Sequence, residues 1–117
     1  MKTILIVEDN ADMRSLLGML LEAKGYQVTL CSDGQSAEDI ALGDFFDVIL
    51  VDYCMPGRNG LDVTRTARER KLRSCIIGMS LENKKNEFLN AGANAFLAKP
   101  FDIGELMRII ESATPSG

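Results

Sequence analysis

The sequence predicts an α/β domain: a parallel sheet covered by helices on both faces. Short apolar runs of strand length alternate with longer stretches in which apolar residues recur at helical spacing, the pattern of repeated strand–helix units. Two of these runs end in acids: Thr3 to Val7 leads into Glu8 and Asp9, and Val48 to Val51 leads into Asp52. A third, Asn94 to Ala98, ends in Lys99 and Pro100. If the three runs are parallel neighbours, their carboxyl ends share one edge of the sheet, and the three carboxylates and one ammonium converge in a single crevice.

The elements follow in order. The first strand is 3 to 7. Met13, Leu16, Leu17, Leu20 and Leu21 then recur at helical spacing, and Gly25 after Lys24 makes a C-terminal stop. A second strand covers 27 to 31. Asp33-Gly34 turns the chain into a helix whose apolar positions are Ala37, Ile40 and Ala41, closed by Gly43. The third strand is 47 to 51, and Pro56-Gly57 and Asn59-Gly60 mark the loop after it. Leu61, Val63, Thr64 and Ala67 begin a helix that ends in the basic run Arg68 to Arg73, a favourable charge at a helix C-terminus. The fourth strand is 75 to 79, and a shorter helix from Lys84 to Ala91 stops at Gly92. A fifth strand, 94 to 98, leads to a last helix from about Asp102 with Leu106, Ile109 and Ile110 on one face. Residues 113–117 read as a frayed tail or the start of a linker. No internal repeat or low-complexity segment is present.

At 117 residues the chain has the length of one domain, large enough for a core. Seventeen acids against 13 basic residues give a net charge of −4, which argues against an electrostatic grip on nucleic acid or an anionic membrane. The start, MKTILIVEDN, is neither a signal peptide nor a membrane span, so a soluble, cytoplasmic protein is expected. Cys31, Cys54 and Cys75 are odd in number and widely spaced, which fits buried or incidental thiols in a reducing compartment. There is no histidine, which excludes Ser–His triads and histidine–metal sites.

The acid cluster has a chemistry of its own. Neighbouring carboxylates repel, and either a pKa rises or a divalent cation with oxygen ligands enters; Lys99 then balances the charge of an anion. Together these make a cation-and-phosphate site. Each residue also has a structural reading. Glu8 and Asp9 suit a strand end opening a helix with Asp9 or Asn10 as its cap. Lys99 suits an exposed loop, and Ser80 a small polar strand end. Asp52 is different: a carboxylate directly after four apolar residues needs partners.

ILIVEDN, DVILVDYCMPGRNGLDV, IIGMS and GANAFLAKPF, in that order and each at a strand end, resemble the receiver domain of bacterial two-component response regulators, over residues 2 to 112. The resemblance implies a flavodoxin-like, doubly wound (βα)5 fold with strand order 2-1-3-4-5. It implies Asp52 as the phosphoryl acceptor. Mg²⁺ or Mn²⁺ would be held by Asp9 and Asp52, by Glu8 through a water, and by the backbone carbonyl of Cys54. Lys99 would meet a phosphoryl oxygen, Pro100 would follow a cis peptide bond that helps aim Lys99, and Ser80 would bond the phosphoryl group. Phe96 would be the aromatic switch residue that moves inward with Ser80; its other reading is a core residue. The partners implied are a histidine kinase or histidine phosphotransfer protein upstream. Downstream they are a protein, or an output domain, reached through the face of the fourth helix, fifth strand and fifth helix. The domain would catalyse only its own phosphoryl transfer and autodephosphorylation.

Two departures from the family pattern stand out. The stretch from Ser80 to Gly92 is about three residues shorter, nearly one helical turn, which shortens the fourth helix or its preceding loop. Leu81 stands where a small residue is usual, so its bulk is expected to alter phosphorylation or dephosphorylation rates. Two other functions fit parts of the chain. One is a receiver-like binding module that acts without phosphorylation. The other is an aspartate-nucleophile hydrolase of the haloacid dehalogenase type; against it, Cys54 occupies the place of that class's second acid.

Overall fold

The computed structural model describes residues 2–114. The elements are β1 (Thr3–Val7), α1 (Ala11–Ala23), β2 (Gln27–Cys31), α2 (Gly34–Gly43), β3 (Val48–Asp52), α3 (Gly60–Glu69), β4 (Cys75–Ser80), α4 (Lys85–Ala91), β5 (Ala95–Ala98) and α5 (Ile103–Ala113). All five strands are parallel, in the order β2-β1-β3-β4-β5. This is the α/β fold and strand order expected from the sequence.

Strand alternation splits the apolar residues into two layers. Leu5, Val7, Ile49, Val51 and Ile76 lie on the face covered by α2, α3 and α4, with Ala37, Val63 and Phe88 packed on them. Ile4, Ile6, Val48, Leu50, Ile77 and Met79 lie on the opposite face under α1 and α5, against Leu17, Leu21, Leu106 and Ile110. The central strands β1, β3 and β4 read as unbroken apolar runs because both of their faces are buried.

Local chemistry sets most helix starts. The side chains of Asn10, Asp33, Asn59 and Asp102 each accept a backbone N–H of the first turn that follows. At Asn59 the cap is reciprocal: Asp62 N–H donates to Asn59 Oδ1 and Asn59 N–H donates to Asp62 Oδ2, both at 3.0 Å.

Four boundaries differ from the sequence reading, each for a tertiary reason. The third strand runs 48–52 and not 47–51, because Asp47 is spent as a clip: its Oδ2 accepts the Thr3 N–H at 2.7 Å. The fourth extends to Ser80, whose carbonyl accepts the Lys99 N–H. The fifth begins at Ala95, since the Asn94 side chain accepts from Ile76 N–H and Arg68. Helix α3 stops at Glu69 and leaves much of the basic run in a turn. Lys71 takes φ +60°, Leu72 N–H closes on the Ala67 carbonyl, and the Arg68 guanidinium is drawn inward to the carbonyls of Leu72 and Gly92. At the far end Ala113 is helical, and Thr114 bonds back to the Ile110 carbonyl through both its N–H and its hydroxyl. Of the expected tail, residues 115–117 lie outside the described residues.

The loop between β3 and α3 is fastened from outside. Arg58 pairs with Glu38 at 2.7 Å and donates to Thr66 Oγ1 at 2.8 Å, and its carbonyl lies so close over Gly34 that a Cβ there would overlap it. Removing the reciprocal cap with Asn59→Ala should lower stability by about 1 kcal/mol without changing the fold, read from the urea midpoint at constant slope.

Candidate functional site

Three strand ends supply the charges, and backbone bonds fix each end to its neighbour. Glu8 N–H donates to the Cys31 carbonyl at 3.0 Å, Tyr53 N–H to Met79 at 2.8 Å, and Lys99 N–H to Ser80 at 2.9 Å. Side-chain parity does the rest. Glu8, Asp52 and Lys99 continue the alternation of Ile6, Leu50 and Leu97, so all three extend the face under α1 and α5.

The result is an ion cluster at the carboxyl edge of the sheet. Lys99 Nζ lies 3.0 Å from Asp52 Oδ1, and 3.1 and 3.3 Å from the two oxygens of Glu8. Glu8 is 2 % and Asp52 4 % exposed, whereas Asp9 faces solvent. Oxygens of all three carboxylates fall within 4.8 Å of one another. They border a cleft of about 590 Å³ whose wall also includes Cys54, Leu81 and Pro100.

Too little positive charge is present for these acids. Burial, reinforced by the Asp52 carboxylate alongside and opposed by Lys99, pushes Glu8 up to about 7. Burial works to lower the Lys99 ammonium, but hydrogen bonds and charge from Asp52 and Glu8 outweigh it and hold its pKa above the ordinary value. Lys99 is therefore a fixed cation, and Glu8 is the group that yields its charge. An all-oxygen donor set with this surplus of negative charge suits a hard divalent cation such as Mg²⁺ or Mn²⁺.

The other expected site residues fall in different places. The Lys99–Pro100 peptide bond is cis. Cys54 is exposed on the cleft wall, whereas Cys31 and Cys75 are buried thiols whose pKa burial raises. Ser80 is buried at the end of β4 and its Oγ accepts the Glu82 N–H at 3.0 Å; Leu81, 80 % exposed, reaches the cleft in its stead. Phe96 is half-buried on β5 against Phe88, ring centroids 5.8 Å apart.

Sequence reasoning missed two supports. Arg14 Nη1 donates to the Glu8 carbonyl at 2.8 Å and holds the β1–α1 turn. Its separation of six from Glu8 fits no helical pair, so only the turn brings them together. Phe88, fully buried on α4, did leave a signal: a lone ring in a polar helix, facing a glycine inside the apolar strand Ile-Ile-Gly-Met.

The family model for the response regulator receiver domain matches residues 4–111. The response regulator ArlR of Staphylococcus aureus is 34 % identical over 114 residues, covering 96 % of this chain and 52 % of that protein. The chain thus spans about half the length of the curated relatives it matches. Among solved structures, the receiver domain of the sensor histidine kinase PA1611 from Pseudomonas aeruginosa, with a magnesium ion in its active-site cleft, is 36 % identical. Its TM-score is 0.87, with 96 % of each chain covered. The response regulator TrrA from Thermotoga maritima, in complex with Mg²⁺ and BeF, is 27 % identical with a TM-score of 0.90, over 97 % of this chain and 99 % of that one.

Glu8 gives a pH test. Because its folded pKa, about 7, lies above the ordinary 4.5, the stability it contributes is complete below about 4.5 and lost as pH rises through 7. In EDTA, Glu8→Gln should therefore gain on the wild type between pH 5 and pH 8, by on the order of 1–3 kcal/mol in urea unfolding. Mg²⁺ at pH 8 should shrink that gain. A gain independent of pH would mean that Glu8 carries no buried-charge penalty.

Proposed function

The chain belongs to the response regulator receiver family of two-component signalling, and from that premise we propose that it is a phosphorylation-dependent switch with Asp52 as the acceptor. The observation that carries the reading is Asp52 itself. It is a nearly fully buried carboxylate at the end of a central strand, 3.0 Å from a lysine ammonium, with two further carboxylates beside it.

The donor is a phosphohistidine on a histidine kinase or a histidine phosphotransfer protein. A carboxylate oxygen of Asp52 attacks phosphorus, the O–P bond forms, the P–N bond to the donor imidazole breaks, and an aspartyl phosphate results. Asp9 and Asp52 would hold Mg²⁺ or Mn²⁺, with Glu8 acting through a water and Cys54 through its backbone carbonyl. When bound, that ion neutralises charge on the carboxylates and on the transferring group, most of what phosphoryl transfer requires. Lys99, already held between Glu8 and Asp52, can turn to a phosphoryl oxygen as a point charge. The Ser80 hydroxyl, which accepts from Glu82 in this structure, would donate its own proton to the phosphoryl group. That bond would draw in the loop after β4, and with it the α4–β5–α5 face read by a downstream protein or output domain.

The domain core, about 2–112, carries the acceptor half of this chemistry and catalyses only its own transfer and autodephosphorylation. A cytoplasmic location fits the donor. No helix among the described residues is long and apolar enough to cross a membrane, and the net charge of −4 disfavours direct contact with nucleic acid.

Incubation with acetyl phosphate and Mg²⁺ should add one phosphoryl group by intact mass, lost in Asp52→Asn and without Mg²⁺. No adduct on the folded protein would replace this reading with a binding module independent of phosphorylation. Leu81 overhangs the cleft, so Leu81→Ala should change the rate of gain or loss of the adduct; if both rates match the wild type, its bulk has no such role.

A further inference from the structure

Helix α4 is only seven residues long, has no side-chain cap, and buries a single residue, Phe88. That ring is the main anchor of the helix on its inner side, with Ala91 partly buried against the same core. The ring fits a socket made by two glycines. A Cβ on Gly78 would overlap Phe88 Cδ1, and a Cβ on Gly60 would lie 3.0 Å from Phe88 Cζ and 2.5 Å from the carbonyl oxygen of Asp52. Real side chains do not tolerate such approaches, so Phe88 and the two glycines require one another. Tyr53, directly after Asp52, meets the ring edge-on at 6.4 Å and 79°. Phe96 lies on its other side at 5.8 Å.

The register fixes what this ring obstructs. Gly78 and Phe96 are partners across β4 and β5, so their Cβ directions share a face, and Ser80, two residues on, shares it too. A Phe96 ring moving from β5 toward Ser80 has to cross the space above Gly78. Phe88 fills that space.

Resting on the phosphoacceptor reading above, we propose that Phe88 is the positioning residue of the switch: seated over Gly78 it blocks Phe96, and modification of Asp52 acts by unseating it and α4 together. Tyr53 and Gly60 connect the ring to the backbone at Asp52, so a shift at this strand end bears on the socket directly. Linkage then requires the reverse effect. A change that unseats Phe88 without touching the acid cleft must favour the modified form of Asp52.

The test uses the full chain with ¹³C-labelled phenylalanine rings, titrated with beryllofluoride and Mg²⁺; acetyl phosphate uptake is followed in parallel by intact mass. In the wild type the Phe88 and Phe96 signals should move together as Asp52 is occupied. Gly78→Ala should show part of that movement with no ligand, and should bind beryllofluoride with Mg²⁺ more tightly by at least about threefold. Should Gly78→Ala fail to fold, Phe88→Leu, which also opens space above Gly78, should give the same two effects. A residue that merely packs would lower the melting temperature and leave beryllofluoride affinity unchanged. Occupied Asp52 with Phe88 still seated, or beryllofluoride affinity equal to the wild type in the folded variant, overturns the proposal. Absence of any adduct overturns the phosphoacceptor reading instead, and the gate falls with it.

Discussion

Two buried carboxylates share one ammonium at the carboxyl edge of the sheet, and the architecture around them serves to hold that arrangement. Bringing Glu8 and Asp52 out of water costs several kcal/mol per ion unless a partner and hydrogen bonds compensate. Lys99 is the partner, yet one positive charge cannot satisfy two buried anions with Asp9 nearby. Burial first, and then the Asp52 carboxylate beside it, raises the pKa of Glu8. Three carboxylates short of positive charge form an oxygen donor set that suits a hard divalent ion.

Such a cluster tolerates little positional freedom, and the fold removes it at the backbone. Each charged strand end is bonded to the adjacent strand, at Cys31, Met79 and Ser80. Arg14 ties the β1–α1 turn and Arg58 the loop after β3. These two arginines act on a carbonyl and on Glu38, and the ammonium paired with the buried acids of the cleft is that of Lys99. Rigid strands present the charges while the adjoining loops supply Leu81 and Cys54, the variable part of the wall.

The two faces of the sheet differ in how they are bound. Under α1 and α5, eight buried strand residues meet several helix residues spread over two long helices. On the other face α4 fully buries one residue, an aromatic ring in a glycine socket. Few buried contacts and a short helix mark a segment of low local stability, the kind that can move while the rest stays fixed. The asymmetry sets a firmly packed charged edge apart from a lightly anchored helix, and Tyr53 and Phe88 lie between them.

The sequence by itself determined the elements and the identity of the charged groups. Apolar runs, cap residues and glycine stops act over a few residues, so Asn10, Asp33 and Asp102 could be placed beside their helices, and Glu8, Asp9, Asp52 and Lys99 at strand ends. The motif order implied the strand order, and hence that these four meet. Tertiary structure decided what depends on partners far along the chain. Lys99 and Glu8 are 91 positions apart, and no local pattern states which carboxylate it pairs with or which of them holds a proton. Asp47 and Asn94 left their strands because their side chains were taken by Thr3 and Ile76. Helix α3 ended early because Arg68 was drawn inward to two carbonyls. Ser80 faces away from the cleft because parity along β4 is fixed by the packing of Ile76 and Met79 on opposite sides of the sheet. The fit of Phe88 to Gly78 is complementarity of shape between a helix and a strand, and composition carries it only as an odd glycine and an odd ring.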